Sequence, residues 1–202
     1  MNQTKTRTLF LAASASLVLL TGACSSDTDS SSPATTTSAS TSASAEAASA
    51  GTCPTAAPDS AATPEWTLAG DTGSIAVVGS TDTAAPAVTV EAPFSVAETQ
   101  VKTLTVGDGP VIADDASVSV CYTGVNGRDG EIFDSSFASG APIDFPLNGV
   151  VAGFQKAIAG QTVGSTVAVA VTSADGYPSG QPQAGIEPGD SLIFAISILS
   201  AS

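Results

Sequence analysis

The chain has 202 residues, of which only 12% are charged, and its formal net charge is -14 with five basic side chains in all. That balance excludes a nucleic-acid surface, which needs clustered cations to neutralise phosphates. There is no histidine, so Ser-His-Asp and Cys-His catalysis and histidine-based zinc sites are excluded as well.

Residues 1–23 read as a secretory signal. Lys5 and Arg7 form a short positive segment, Leu9 to Leu20 is an apolar run, and Thr21-Gly22-Ala23 precedes Cys24. The apolar run is shorter than the roughly 20 residues of a membrane-spanning helix. Small residues directly before a cysteine resemble a bacterial lipobox, with lipid added to the Cys24 thiol, although Thr21 takes the place usual for leucine. The alternative is an ordinary cleaved signal and a secreted protein. Cleavage before Cys24 leaves three basic and nineteen acidic side chains, a charge of -16. Anionic head groups repel such a chain, so membrane residence is expected through the lipid alone.

Residues 24–60 are expected to be the lipidated cysteine and a disordered tether. The Ser/Thr/Ala tract from Ser25 to Gly51 has too little branched aliphatic surface to offset the entropy of ordering. Residues 61–97 form a strand-forming extension, with alternating stretches in WTLAGDTGSIAVVG and AVTVEAPFSV that suit an added edge strand. Residues 98–202 are expected to be the main domain. Val118, Val120 and Tyr122 share one face of a strand, Val167, Val169 and Val171 a face of a second, and Leu192, Phe194, Ile196 and Ile198 a face of a third. In GFQKAIAG, Phe154, Ala157 and Ile158 recur at i, i+3 and i+4, and Gly160 is placed to stop a helix. The fold class is therefore α+β, an antiparallel β-sheet of about five to six strands curved around one short amphipathic helix.

The chain offers little acid–base chemistry. Its three cysteines lack Cys-x-x-Cys spacing, and no Gly-rich phosphate loop precedes a helix. A reaction needing almost no proton transfer still fits. Rotation about an X-Pro bond crosses a barrier of about 18–20 kcal/mol because amide resonance is broken. The twisted transition state is less polar than the planar amide, so a water-poor aromatic pocket favours it. Neither metal nor cofactor is expected.

VCYTGVNGRDGEIFDSS resembles the hairpin of FKBP-type peptidyl-prolyl cis-trans isomerases, with a "YTG" strand end, a glycine turn and "FDSS". PIDFPLNGVVAGF resembles the segment carrying the family's hydrophobic floor. VGSTVAVAV is similar to its central strand, DGYPSG to its tyrosine loop, and AGIEPGDSLIFAISIL to its closing loop and last strand. The resemblance covers about half the chain, from near Glu98 to Leu199. It implies an FKBP-like fold and a peptidyl-prolyl cis-trans isomerase assisting folding of extracytoplasmic proteins. Tyr122, Phe133, Val150, Val151, Phe154 and Phe194 would line the proline bowl, with Phe154 at the floor where the family usually has Trp. The Tyr177 hydroxyl and the Val151 N–H would bind substrate carbonyls, Asp134 would accept at the rim, and Ile143 and Ile186 would close the sides. Taken singly, Tyr122, Phe133 and Phe194 are better explained as core, and Asp134 has a competing role as a turn-capping residue; taken with the ordered motifs, the pocket reading prevails for Tyr122, Phe133, Val151, Phe154 and Tyr177.

Four positions depart from the family pattern, the first being Ile143, in a place that is often aromatic. Phe154 replaces Trp, Ser139 stands near a place where some members pair an arginine with the aspartate, and Pro178 stands where glycine is usual. The alternative function is a non-catalytic FKBP-fold peptide-binding or chaperone lipoprotein. Expected partners are X-Pro-containing polypeptides and the macrolide-type ligands of the family, with no nucleic acid, and a monomer is expected. The Ala/Gly/Thr-rich composition with LTGAC has an actinobacterial look.

If Cys24 carries lipid, Cys53 and Cys121 remain as an even pair in an oxidising compartment. Cys121 alternates against Tyr122 and so faces away from the pocket. A Cys53–Cys121 disulfide is expected; the alternative is two unrelated thiols, with Cys121 a small buried hydrophobe.

Overall fold

The computed structural model describes residues 51–202. The expected signal sequence, Cys24 and most of the expected tether lie outside the described residues. Among the described residues there are nine strands: β1 (Trp66–Ala69), β2 (Thr72–Val78), β3 (Ala87–Ser95), β4 (Gln100–Thr105), β5 (Ser117–Asn126), β6 (Ile132–Ser135), β7 (Ile143–Pro146), β8 (Thr166–Val171) and β9 (Leu192–Ala201). One α-helix, α1 (Ala152–Ile158), lies between β7 and β8. Strands β4 to β9 make one antiparallel sheet in the order β4-β8-β9-β5-β6, with β7 also paired to β5. This is the expected α+β, FKBP-like arrangement.

β8 explains how the sheet is covered on both faces. All six residues of TVAVAV are buried, as befits a central strand enclosed on two sides. Val167, Val169 and Val171 point toward α1, joined by Val118 and Val120 of β5 and by Leu192, Phe194, Ile196 and Ile198 of β9. Phe154, Ala157 and Ile158 fill that core from the helix side. A seven-residue helix has little stability of its own, so this packing holds it. Gly160 follows at φ 78°, the left-handed geometry that suits glycine after a helix.

The extension does not add an edge strand to this sheet. β1, β2 and β3 form their own three-stranded sheet and lie over the main sheet's outer face. Ile75 and Val77 of β2 and Phe94 of β3 pack on Val125, Ala168, Ala170, Ile193 and Ala195. The physical reason lies in β8 and β9, whose outer-face residues are apolar but small at Ala168, Ala170 and Ala195. Edge pairing would leave that face in water, whereas a second sheet removes it.

The tether boundary expected at residue 60 also moves. Cys53 is 3% exposed, its N–H donates to Gly140 O at 3.1 Å, and the Ala85 N–H donates to Ala56 O at 2.8 Å. A disulfide joins Cys53 to Cys121, and Phe137 completes the buried cluster around it. The packed chain therefore begins no later than Cys53, because the cross-link holds this segment against β5.

Candidate active site

Tyr122 sits mid-way along β5 on the helix-facing side, and neighbouring β6 supplies Phe133 and Asp134. Consecutive strand residues ordinarily point to opposite faces. Here the β5–β6 register pairs Gly124 with Asp134 and Val125 with Ile132, leaving Phe133 as the extra residue of a bulge. The bulge re-aims the strand, so that Phe133 and Asp134 line the same cavity. Gly124 makes room for it: a Cβ there would lie 2.5 Å from Phe133 Cζ and 3.0 Å from Phe194 Cε1.

The pocket has a volume of about 350 Å³, at the small end of ligand sites. Its base is a set of edge-on aromatic contacts. Phe154 from α1 lies 5.2 Å from Phe194, 5.6 Å from Tyr122 and 5.3 Å from Phe145, with interplanar angles of 70–86°. Phe133 meets Phe194 at 5.6 Å and 88°. Edge-to-face packing of this kind fixes ring orientation beyond what burial alone does.

Polar side chains are few: Tyr122, Asp134 and Tyr177, of which Asp134 is exposed. The Tyr122 hydroxyl donates to Asp134 Oδ2. Burial pushes the Tyr122 phenol well above its ordinary range, and the adjacent Asp134 carboxylate and Tyr177 push it further in the same direction. Tyr122 is therefore a neutral donor. Val151 is the N-cap of α1; its carbonyl accepts from the Phe154 and Gln155 N–H groups at 2.9 and 3.1 Å, and its own N–H has no backbone acceptor among the described residues. Tyr177 comes from the β8–β9 connection. That loop is tied to the helix by the Gly153 N–H donating to Asp175 O at 2.9 Å and by Lys156 Nζ to Asp175 Oδ2 at 2.7 Å.

Nine of the ten pocket residues expected from sequence line this one cavity: Tyr122, Phe133, Asp134, Ile143, Val150, Val151, Phe154, Tyr177 and Phe194. Ile186 does not. Reciprocal bonds between Gln181 and Ile186 (2.8 and 3.1 Å) turn its side chain into the core, where it is 2% exposed. Phe145 and Gly149 also line the pocket and were not anticipated. Phe145 lies two residues beyond Ile143 on β7 and so shares its face; that spacing was the available signal.

The comparisons with known proteins agree with this geometry. The family model described as FKBP-type peptidyl-prolyl cis-trans isomerase matches residues 98–199, just over half of the chain. The chain belongs to that family. It is 37% identical over 99 residues to a probable FK506-binding protein of Corynebacterium glutamicum, covering 48% of this chain and 80% of that one. An FK506-binding protein of Streptomyces anulatus is 33% identical over 107 residues, covering 52% and 86%. The FKBP-type 22 kDa peptidyl-prolyl cis-trans isomerase of Escherichia coli is 35% identical over 100 residues, covering 50% of this chain and 48% of its own.

Two departures from the FKBP pattern have local explanations. Among the described residues no arginine pairs with Asp134, and the Tyr122 hydroxyl bonds it. Pro178 follows Tyr177 in a turn closed by the Gly180 N–H donating to Tyr177 O at 2.9 Å. Proline there occupies the second position of the turn, where its fixed φ is favourable.

Proposed function

We propose that this FKBP-type isomerase serves proline-containing segments of extracytoplasmic proteins, held at the membrane by lipid on Cys24. The observation that carries the chemistry is the cavity of about 350 Å³ lined chiefly by aromatic and aliphatic side chains, with Asp134 its one charged group among the described residues. The proline ring enters between Tyr122, Phe145, Phe154 and Phe194, with Phe154 beneath it. Phe133, Val150 and Ile143 close the sides. The Val151 N–H and the Tyr177 hydroxyl each donate to a carbonyl flanking the X-Pro bond.

The rate gain comes from water exclusion and positioning. A planar amide carries more charge separation than its twisted transition state, so moving it out of water raises the ground state relative to the barrier. The two carbonyl bonds fix the peptide on either side while the central bond turns. No proton is transferred and no covalent bond forms. Asp134 holds the Tyr122 hydroxyl, and through it the ring, in place against Phe154. Macrolide-type ligands of the family occupy the same bowl.

The anchored location rests on Lys5, Arg7, the apolar run and Cys24. Since X-Pro isomerisation takes tens to hundreds of seconds uncatalysed, an isomerase outside the cell shortens a slow step for exported chains. A protease-coupled isomerisation assay on X-Pro peptides tests the activity, and detergent-phase partitioning of the expressed full chain tests the anchor. A rate above background is expected, along with partitioning that is lost in Cys24→Ala. A background rate with macrolide still bound would instead indicate a binding module.

A further inference from the structure

Among the described residues, Asp134 is the one charged residue lining the pocket, and no basic side chain pairs with it. Three basic side chains occur among the described residues. Arg128 is held by Asp129 and Asp190 at 3.2 Å and by Glu187 at 3.9 Å, and Lys156 by Asp175 at 2.7 Å. The third, Lys102, is on β4, at the opposite edge of the sheet from β6 and Asp134. The only hydrogen bond to the Asp134 side chain among the described residues comes from Tyr122, on Oδ2.

Ile143 lines the same pocket and is 43% exposed. An exposed aliphatic side chain and a carboxylate without a cation, both lining one pocket, suit the two ends of a long basic side chain, which lays its stem on apolar surface and keeps its charge at the tip. A peptide lying over the pocket would displace water from the exposed Asp134 carboxylate, which penalises binding unless a polar or cationic partner replaces it.

We propose that Asp134 sets the sequence preference of this isomerase, favouring proline segments with Lys or Arg next to the proline and disfavouring Asp or Glu there. The inference rests on the isomerase reading above. A partly exposed ion pair changes affinity by up to about fivefold, and salt weakens it. The net charge of -14 adds attraction of the same sign over longer range, so a local effect must be separated from that field.

The test compares kcat/KM for three tetrapeptides, Ala-X-Pro-Phe with X as Lys, Gln or Glu, at low ionic strength. It uses the native protein, Asp134→Asn and Asp71→Asn. Asp71 is exposed beside the β1–β2 turn, so its replacement alters net charge equally but far from the rim. The expected order is Lys above Gln above Glu, by up to about fivefold per step. Asp134→Asn brings the three together, and Asp71→Asn preserves the order. Equal rates in the native protein, or equal compression by both variants, would overturn the proposal. Acceleration of the Gln peptide over the uncatalysed rate reports separately on the isomerase reading. Should no peptide be accelerated, NMR titration with the same three decides: tighter binding of the Lys peptide supports the proposal, and equal binding overturns it.

Discussion

The Tyr122 hydroxyl donates to the Asp134 carboxylate across the β5–β6 pair, so a strand residue on the pocket wall is latched to its neighbour at the rim. Tyr122→Phe removes that bond and leaves the ring. Loss of one such hydrogen bond costs about 0.5–1.5 kcal/mol, and Asp134, being exposed, regains water. Urea denaturation measures the stability loss, and kcat/KM falls because the ring is less well held. Since burial and the Asp134 carboxylate raise the Tyr122 phenol above its ordinary range, the donor persists past the usual tyrosine value of about 10. Ionisation of Tyr122 therefore takes nothing from the native rate between neutral pH and that value.

At Gly124 a single methyl group reaches two rings of the pocket. Gly124→Ala places a Cβ against Phe133 and Phe194, and both rings must shift. Overpacking of this kind costs about 1–3 kcal/mol. Macrolide titration should show weakened binding, and the unfolding midpoint should fall with it. Unchanged binding would mean that the Phe133 ring is not held against the strand.

The disulfide links two segments 68 residues apart. In the chain-entropy model, closing a loop of that length is worth about 4 kcal/mol. A Cys53→Ala, Cys121→Ala double variant should lose stability of about that size by urea denaturation, within the range of about 2–5 kcal/mol known for native disulfides.

Acid should weaken the closing loop before β9. Asp190 is 8% exposed and accepts from Asn126 Nδ2 at 2.8 Å, the Glu187 N–H at 2.9 Å and Arg128 Nε at 3.2 Å. Burial alone would raise its pKa, but those three donors together with the Arg128 charge outweigh it and hold the carboxyl below its usual value. A lowered folded-state pKa gives stability that is complete above the unfolded value of about 3.9 and is lost as pH falls through the folded one. Asp175 is lowered as well, by Lys156 first and Thr99 second. The urea midpoint should therefore drop as pH falls below about 4, and Asp190→Asn should flatten that dependence.

The sheet and helix are legible because β5, β8 and β9 alternate over most of their length. Val167, Val169 and Val171 mark one face of β8, and the i, i+3, i+4 pattern marks α1. The pocket followed from ordered motifs whose residues converge from β5, β6, α1, β9 and the tyrosine loop. What escaped was set by long-range packing. The outer-face roles of Ala168, Ala170 and Ala195 depend on Ile75, Val77 and Phe94, more than 70 residues away, and alanine in a strand carries no signal of its own partner. Ile186 turns inward because of a local bridge to Gln181, which no apolar pattern encodes. The Phe133 bulge is invisible in a sequence that simply reads as one more strand.

Exchange-resolved NMR of an Ala-Leu-Pro-Phe peptide tests the central claim most directly, since it reports cis–trans interconversion without a coupling protease. The account predicts exchange cross-peaks between cis and trans proline signals when a catalytic amount of the native protein is added, much weakened by Phe154→Ala in protein shown to be folded by circular dichroism. Peptide-dependent shifts of the protein's aromatic signals with no cis–trans exchange would contradict it.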